Sequence, residues 1–461
     1  LEPKAERENK LTFDFTELGI QIPEVLLPAE SVDLKKWAVV ACDQYTAQPD
    51  YWEQVANFVG DAPSTWKLIY PEIFLGKEDP QIRIKNIHRN MKEYLDHRIL
   101  VSKGPGFIYV KRQTSKAKSR KGLMVSLDLE CYDYRKGAQT LVRATEGTVL
   151  ERIPPRVKIR EEAPIELPHI MVLIDDPDCG VIEPLETSIQ EREPVYQTEL
   201  MMEGGRVTGY PIQNSQLMSG IFQGLKKLAD KERFKTKYGM PNDNVLLYAV
   251  GDGNHSLATA KAVWEQIKQN NPNASLSAHP SRFAMVELVN VHDPGLCFEP
   301  IHRVIFDVNV DDLLKTMSEY YIKLGSGFVC KKFSCRESLS RQLPELRHNS
   351  KGSHIIEFVT KDDCGIVEIK KPSQNLEVGS LQTFLDVYAD SHREVQIDYI
   401  HGDEVVTKLG SEPGNIGFYL PVMDKSELFK TVITDGALPR KTFSMGEAEE
   451  KRFYMECRKI I

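Results

Sequence analysis

At 461 residues, 41% hydrophobic and 27% charged, the chain has a globular composition, and at ~150 residues per domain it has length for about three units. Its 59 basic and 67 acidic residues leave a formal charge of −8, which excludes a surface that broadly grips nucleic acid or an anionic membrane but not a local basic site. No run approaches the ~20 apolar residues of a membrane helix, and the opening LEPKAERENKLTFDF lacks the apolar stretch of a signal peptide, so a cytoplasmic location is expected.

The apolar run Trp37-Ala38-Val39-Val40-Ala41-Cys42 predicts a short buried strand, followed by a polar loop from Asp43 to Thr46. Ile84, Ile87, Met91, Tyr94 and Leu95 recur at helical spacing and predict a helix over 81–99. Two strand-like runs, Gly106–Val110 and Leu123–Leu127, flank KRQTSKAKSRK at 111–121, six of whose eleven residues are basic. A hairpin with a solvated charged tip is expected there. Residues 141–169, LVRATEGTVLERIPPRVKIREEAPIELPH, mix Arg143, Arg152, Arg156, Lys158 and Arg160 with five glutamates, and Pro154-Pro155 argues against a continuous helix. Ile170–Ile174 predicts a buried strand, and Leu217, Ile221, Leu225 and Leu228 predict a helix over 213–231.

Beyond 310 the pattern continues as generic α/β. A helix over 311–322 precedes strands at 354–359 and 365–369, a loop at Lys371–Asn375, a strand at Gly417–Leu420 and a helix near 425–432. The polar stretch around 344–353 comes nearest to a boundary. The expected organisation is an N-terminal α/β region (1–105), a core carrying the glycine turn (106–310) and a C-terminal α/β region (311–461) that joins the same interwoven unit. The eight cysteines contain no C-x-x-C pair, so thiolate-bound zinc is not expected and disulfides are unnecessary.

The strongest chemical signal is Asn244–Val250 followed by Gly251-Asp252-Gly253-Asn254-His255-Ser256 and an amphipathic helix carrying Leu257, Ala260, Trp264 and Ile267. A strand, a tight glycine turn and a helix start present unpaired N–H groups and the positive end of the helix dipole, which attract phosphate. The glycines allow positive φ and close ligand approach, and Asp252 and His255 would project beside the bound group. A capping role for Asp252 and a core role for His255 are the alternative. Gly251-x-Gly253 is not a dinucleotide fingerprint, since Ser256 replaces the third glycine and the acid after the next strand is missing, and no Gly-Lys-Ser/Thr makes a Walker loop. NAD is therefore not expected. His292-Asp293-Pro294-Gly295-Leu296 follows the strand at 283–291, and Pro300-Ile301-His302-Arg303 follows soon after. Placed after successive strands, these clusters would add an arginine fork and a proton-shuttling histidine to the site.

These motifs carry a family resemblance. Asp252–Ser256 resembles the Asp-Gly-His-His-Arg turn of an uncharacterised bacterial and archaeal family. Arg143-x-x-Glu146-x-Thr148 is similar to its Arg-His-Glu-x-Thr element, and Asp293–Leu296 with Pro300–Arg303 to its Asp-Pro-Gly-Leu…Pro-Thr-His-Arg element. Leu438-Pro439-Arg440-Lys441-Thr442-Phe443 resembles its closing Met-Pro-x-Lys-Ser-Thr. More remotely, the turn is similar to that of ParB-like nucleotide-binding domains, including free serine kinases and sulfiredoxin. That resemblance implies an α/β fold with a mixed sheet and a ParB/sulfiredoxin-like core, plus additional α/β regions. It also implies that Gly253, Asn254 and His255 face phosphate. Asn254 stands where the family has its first His, and Ser256 where it has Arg, which removes a phosphate-clamping charge.

The expected function is binding of a nucleotide or phosphorylated small molecule at this turn. If the chain is an enzyme, phosphoryl transfer from ATP or ADP with Mg²⁺ is the economical chemistry. Glu146 or Asp252 would then act as base, His255 or His302 would relay charge, and Gly251, Gly253, Asn254 and Ser256 would cradle phosphate with Arg143 and Arg303 as clamps. A non-catalytic nucleotide-dependent regulator is one alternative. Metal-assisted hydrolysis with His255, Asp252, His302 and Asp293 as ligands is another, though no fixed ligand spacing marks a metal site.

Overall fold

The computed structural model describes residues 13–114, 119–241 and 243–461. The chain forms two units: the described residues up to Cys297 together with Gly446–Ile461, and Phe298–Met445. The tip of the basic hairpin at 115–118 and most of the opening segment lie outside the described residues.

The first unit is built on a mixed sheet of ten strands among the described residues: β1 (Ile20–Gln21), β2 (Phe107–Gln113), β3 (Arg120–Asp128), β4 (Tyr132–Asp133), β5 (Val142–Ala144), β6 (Met171–Ile174), β7 (Tyr196–Glu199), β8 (Arg206–Ile212), β9 (Tyr248–Asp252) and β10 (Phe283–Asn290). Their order is β7-β8-β2-β3-β10-β6-β9-β5-β4, with β1 paired on β3. β2 and β3 are the two arms of the expected hairpin, in antiparallel register from Ile108↔Met124 to Arg112↔Arg120. β10 is buried at every position, as a central strand is, with Glu287 and Asn290 the polar residues in its largely apolar run. The fold is thus α/β with a mixed sheet.

Two local expectations change. Trp37–Cys42 is buried as its composition demands, but Leu34–Trp37 closes a helical turn and the run makes one bridge, Val40 to Phe453. Its burial comes from packing rather than from a ladder. Pro154-Pro155 sits inside the first turn of a helix, α1 (Ile153–Arg160), because at that position a proline's missing N–H has no intrahelical partner to lose. Ile153 and Val157 of α1 pack against Ala258 and Val263 of α2 (Asn254–Asn270), which fixes the helix that follows the glycine turn.

The last sixteen residues return to this unit and cross it through a buried ion network. Arg452, 5% exposed, donates to Glu287 Oε2 at 2.7 Å and to the Pro168 carbonyl at 2.9 Å, and it pairs with Glu456. Tyr196 donates its hydroxyl to the same Glu456. Burial alone would raise the Glu287 carboxyl, but Arg120 and Arg452 hold it below the usual range, so the pair stays ionised.

The second unit carries a seven-stranded sheet whose longest strand, Phe298–Phe306, pairs with Gln396–His401, Ile416–Tyr419 and Phe443–Met445. Helices Val310–Lys323 and Lys425–Asp435 and strands Ser353–Val359, Cys364–Lys370 and Ile416–Tyr419 match the expected elements, and Glu377–Ser391 is a further helix. The polar stretch around 344–353 is the end of helix Arg336–Asn349, with Pro344 inside it, and the following turn.

Breaking a buried ion pair leaves an uncompensated charge. Arg452→Met is therefore expected to cost the first unit about 3–5 kcal/mol, measured by urea unfolding, because Glu456 loses its ion partner and Glu287 keeps only the more distant Arg120. A loss below about 1 kcal/mol would show that the network does not hold the segment.

Candidate functional site

The glycine turn forms at the end of β9 through two backbone irregularities. The ladder between β9 and β6 shifts register between Val250 and Asp252, skipping Gly251, a bulge of the kind that re-aims side chains beside functional sites. Gly253 then takes φ 78°, and a Cβ there would lie 3.0 Å from the Ile170 Cα, so both conformation and space require glycine. α2 starts at Asn254 with no side-chain cap. Asp252 caps nothing in the helix: its Oδ1 accepts from the Gly253 amide and its Oδ2 lies 3.2 Å from Lys451 Nζ.

The segment after β5 is pinned along this turn. Thr145 donates its hydroxyl to the Val250 carbonyl at 2.6 Å, and the Val149 amide donates to His255 Nε2 at 3.2 Å. Glu146 and Thr148 are carried between these two ties. Asn254 Oδ1 and Thr148 Oγ1 are buried atoms with no hydrogen-bond partner among the described residues.

The electrostatics are cationic. Desolvation, followed by the charges of Arg156 and Arg152, pushes the His255 ring down to about 4, so it is neutral near pH 7 with Nε2 accepting. Burial would raise Asp252, but the charge and hydrogen bond of Lys451, then His169 and the Gly253 amide, hold it below the ordinary carboxylate range. Next to His255, Ser256 Oγ lies 2.9 Å from His169 Nε2, whose Nδ1 lies 3.0 Å from the Tyr454 hydroxyl. That hydroxyl accepts from the Cys42 amide at 3.1 Å. Burial and Asp43 raise the Cys42 thiol to about 12, so it is no thiolate.

Asp252, His255, Ser256 and the segment bearing Glu146 therefore meet in the first unit. Arg143 lies on β5, 3% exposed, with its guanidinium donating to the carbonyls of Thr140 and Asn244, near the start of β9 rather than its end. Burial lowers it to about 10. His302 and Arg303 belong to the second unit. His302 Nδ1 accepts from the Leu420 amide at 3.0 Å and its Nε2 lies 3.1 Å from Asp403 Oδ1. Arg303 is fully buried, donates to Gln382 Oε1 and the Arg440 carbonyl at 3.0 Å each, and lies 4.7 Å from the Tyr399 ring centre. Within the first unit the Glu146 segment meets the turn, and within the second Arg303 meets Arg440.

The His292-Asp293 cluster does not join the turn. β10 runs parallel to β6 and β9 antiparallel to it, so the two strands end on opposite edges of the sheet. His292 Nε2 contacts Asp175 Oδ1 at 2.6 Å, and Asp293 accepts from the Gly295 amide, as a tight turn requires. Among the described residues no group of three or more His, Cys, Asp or Glu could hold a metal ion, and no helix is long and apolar enough to cross a membrane. The residues missed by sequence reasoning are His169, Lys451, Tyr454 and the role of Arg156, while Thr148 appeared only as part of the Arg143-x-x-Glu146-x-Thr148 element. Pro168-His169 at the mouth of a buried strand was a visible signal for the first, whereas Lys451 and Tyr454 arrive through tertiary structure alone.

A profile described as "Protein of unknown function (DUF1015)" matches residues 26–388. The chain belongs to that family. No curated protein matches it. Among solved structures it is similar to a conserved hypothetical protein from Pyrococcus furiosus at 10% identity and TM-score 0.34, covering 72% of this chain and 94% of that one. It is also similar to free serine kinase in complex with AMP (10%, TM-score 0.37, covering 75% and 94%) and with ADP (9%, TM-score 0.36, covering 74% and 92%).

The His255 environment has a pH consequence. The folded ring titrates near about 4, against 6.5 ordinarily, so the unfolded chain takes up the proton first as pH falls. The contribution is intact above the unfolded value and lost as pH drops from 6.5 toward about 4. Urea unfolding at neutral and mildly acidic pH is expected to show a steeper acid loss in wild type than in His255→Asn. Equal slopes would place the ring in water.

Proposed function

We propose that this chain binds a nucleotide or another phosphorylated small molecule at the Gly251–Ser256 turn and acts as a small-molecule phosphotransferase of kinase type. The observation that carries this is the bulged strand end leading through left-handed Gly253 into an uncapped seventeen-residue helix, beside buried, unpartnered Thr148 Oγ1 and Asn254 Oδ1. Amide donors at such a helix start suit a phosphate. The Thr148 hydroxyl can donate to a phosphate oxygen, and Asn254 Oδ1 can accept from a sugar hydroxyl. The charges of Arg156 and Arg152, which act after desolvation to depress His255, have the sign an anion needs. The likeness of the turn to the Asp-Gly-His-His-Arg turn of ParB-like nucleotide-binding domains supports the same reading.

In this reading the terminal phosphoryl of ATP passes to a hydroxyl of the acceptor while ADP leaves. Glu146 or Asp252 takes the hydroxyl proton, and the neutral His255 ring holds the 145–149 segment in place. Mg²⁺ would come with the phosphates, keeping waters, with Glu146 as the carboxylate that would hold it. The Lys451 pair also favours a second reading, a nucleotide-dependent regulator without turnover, because it lowers the basicity of Asp252.

Calorimetry with ATP, ADP and CTP in the presence of Mg²⁺ is expected to show binding that Gly253→Ala weakens at least about tenfold, through a methyl forced into Ile170 and a strained φ. Wild type that binds none of the three at millimolar ligand would sink the proposal. Nucleotide consumption no faster than in Glu146→Ala, with binding intact, would select the regulator.

A further inference from the structure

Ser256 and Thr259 of α2 border a cavity of about 140 Å³. Its walls are mostly apolar, formed by Leu68, Ile69, Met91, Ile165, Leu167 and Met285 among others. The charged groups on its rim already have partners: Arg156 pairs with Glu72, and Arg160 and Arg458 both pair with Glu166. A charged ligand would have to break one of these pairs, so the cavity suits a neutral one.

Its polar pole is Ser256. The Ser256–His169–Tyr454 chain fixes the serine hydroxyl from one side, yet cannot exhaust it. If Ser256 donates to His169 Nε2, both oxygen lone pairs remain. If His169 donates, the serine proton and one lone pair remain. Either tautomer leaves Ser256 able to bond one further hydroxyl. The volume sets the body that goes with it, since an apolar protein cavity of about 150 Å³ accommodates benzene.

We propose that this cavity binds a small neutral molecule with an apolar body about the size of one six-membered ring and a single hydroxyl held against Ser256 Oγ. The ligand class is a phenol or a short-chain or cyclic alcohol. The apolar body is drawn by the Leu, Ile and Met walls, and the hydroxyl sets the orientation, pointing it at the start of α2.

The test uses phenol and benzene as probes, titrated into the full chain by calorimetry. Phenol is expected to bind about 2- to 12-fold more tightly than benzene, the worth of one net hydrogen bond. Ser256→Ala is expected to bring the two probes to parity while benzene still binds. Ala163→Met, which places a longer side chain in the cavity wall, is expected to abolish binding of both; if that variant does not fold, the Ser256→Ala comparison carries the test. Absence of binding by either probe, equal affinity of wild type for both, or a phenol preference that survives Ser256→Ala would each overturn the proposal. No nucleotide enters the experiment, so its failure leaves the phosphate site standing, and failure of nucleotide binding leaves this cavity standing.

Discussion

Arg452 inside the first unit is the constraint on which the rest of the site depends. A guanidinium at 5% exposure is tolerable only because Glu287 and Glu456 pair with it and the Pro168 carbonyl accepts a further bond. Those partners come from the central strand β10, from the C-terminal segment itself and from the residue before His169. One buried charge therefore fixes three pieces of chain. Lys451 and Tyr454 flank it, and its register delivers Lys451 to Asp252 and Tyr454 to His169. The site is completed by residues that lie some two hundred positions beyond the glycine turn.

The turn contributes a different kind of preorganisation. A register shift at Gly251 and a left-handed Gly253 set the start of α2 so that His255 meets the segment bearing Glu146 and Thr148 while Ser256 borders the apolar cavity. Polar atoms without partners, cations and an uncapped helix gather around that segment. Apolar walls with paired charges and one hydroxyl pole form that cavity. The two faces differ in the chemistry they can accept, although six consecutive residues build both. Packing of α1 on α2 through Ile153, Val157, Ala258 and Val263 holds the helix rigid enough for both faces to keep their geometry.

Much of the secondary structure was legible because it rests on local periodicity. The hairpin of β2 and β3, the helix at 215–228 and the strand at 171–174 follow from spacing of apolar residues, and the glycine turn follows from glycines that only a bend would require. The exceptions have physical causes. Trp37–Ala41 looks like a strand because burial and strand composition coincide, although it makes only an isolated bridge to Phe453 and no ladder. Helix 336–349 was hidden by polarity, since Leu339 is its one buried residue. The His292 cluster was placed with the turn because successive strands suggest one common edge, and only strand direction reveals the opposite one. His169, Lys451 and Tyr454 belong to the site through long-range contacts that no spacing rule encodes.

The central claim is that ligand phosphate sits at the start of α2. Hydrogen–deuterium exchange of the full chain with and without ADP and Mg²⁺ addresses it directly, since amides at a helix start lack intrahelical acceptors and exchange readily until something bonds them. The account predicts slowed exchange at Asn254–Ser256, ahead of the Leu257 amide that already donates to the Gly253 carbonyl, when ADP is added. Unchanged exchange there, with protection appearing only elsewhere in the chain, would contradict it.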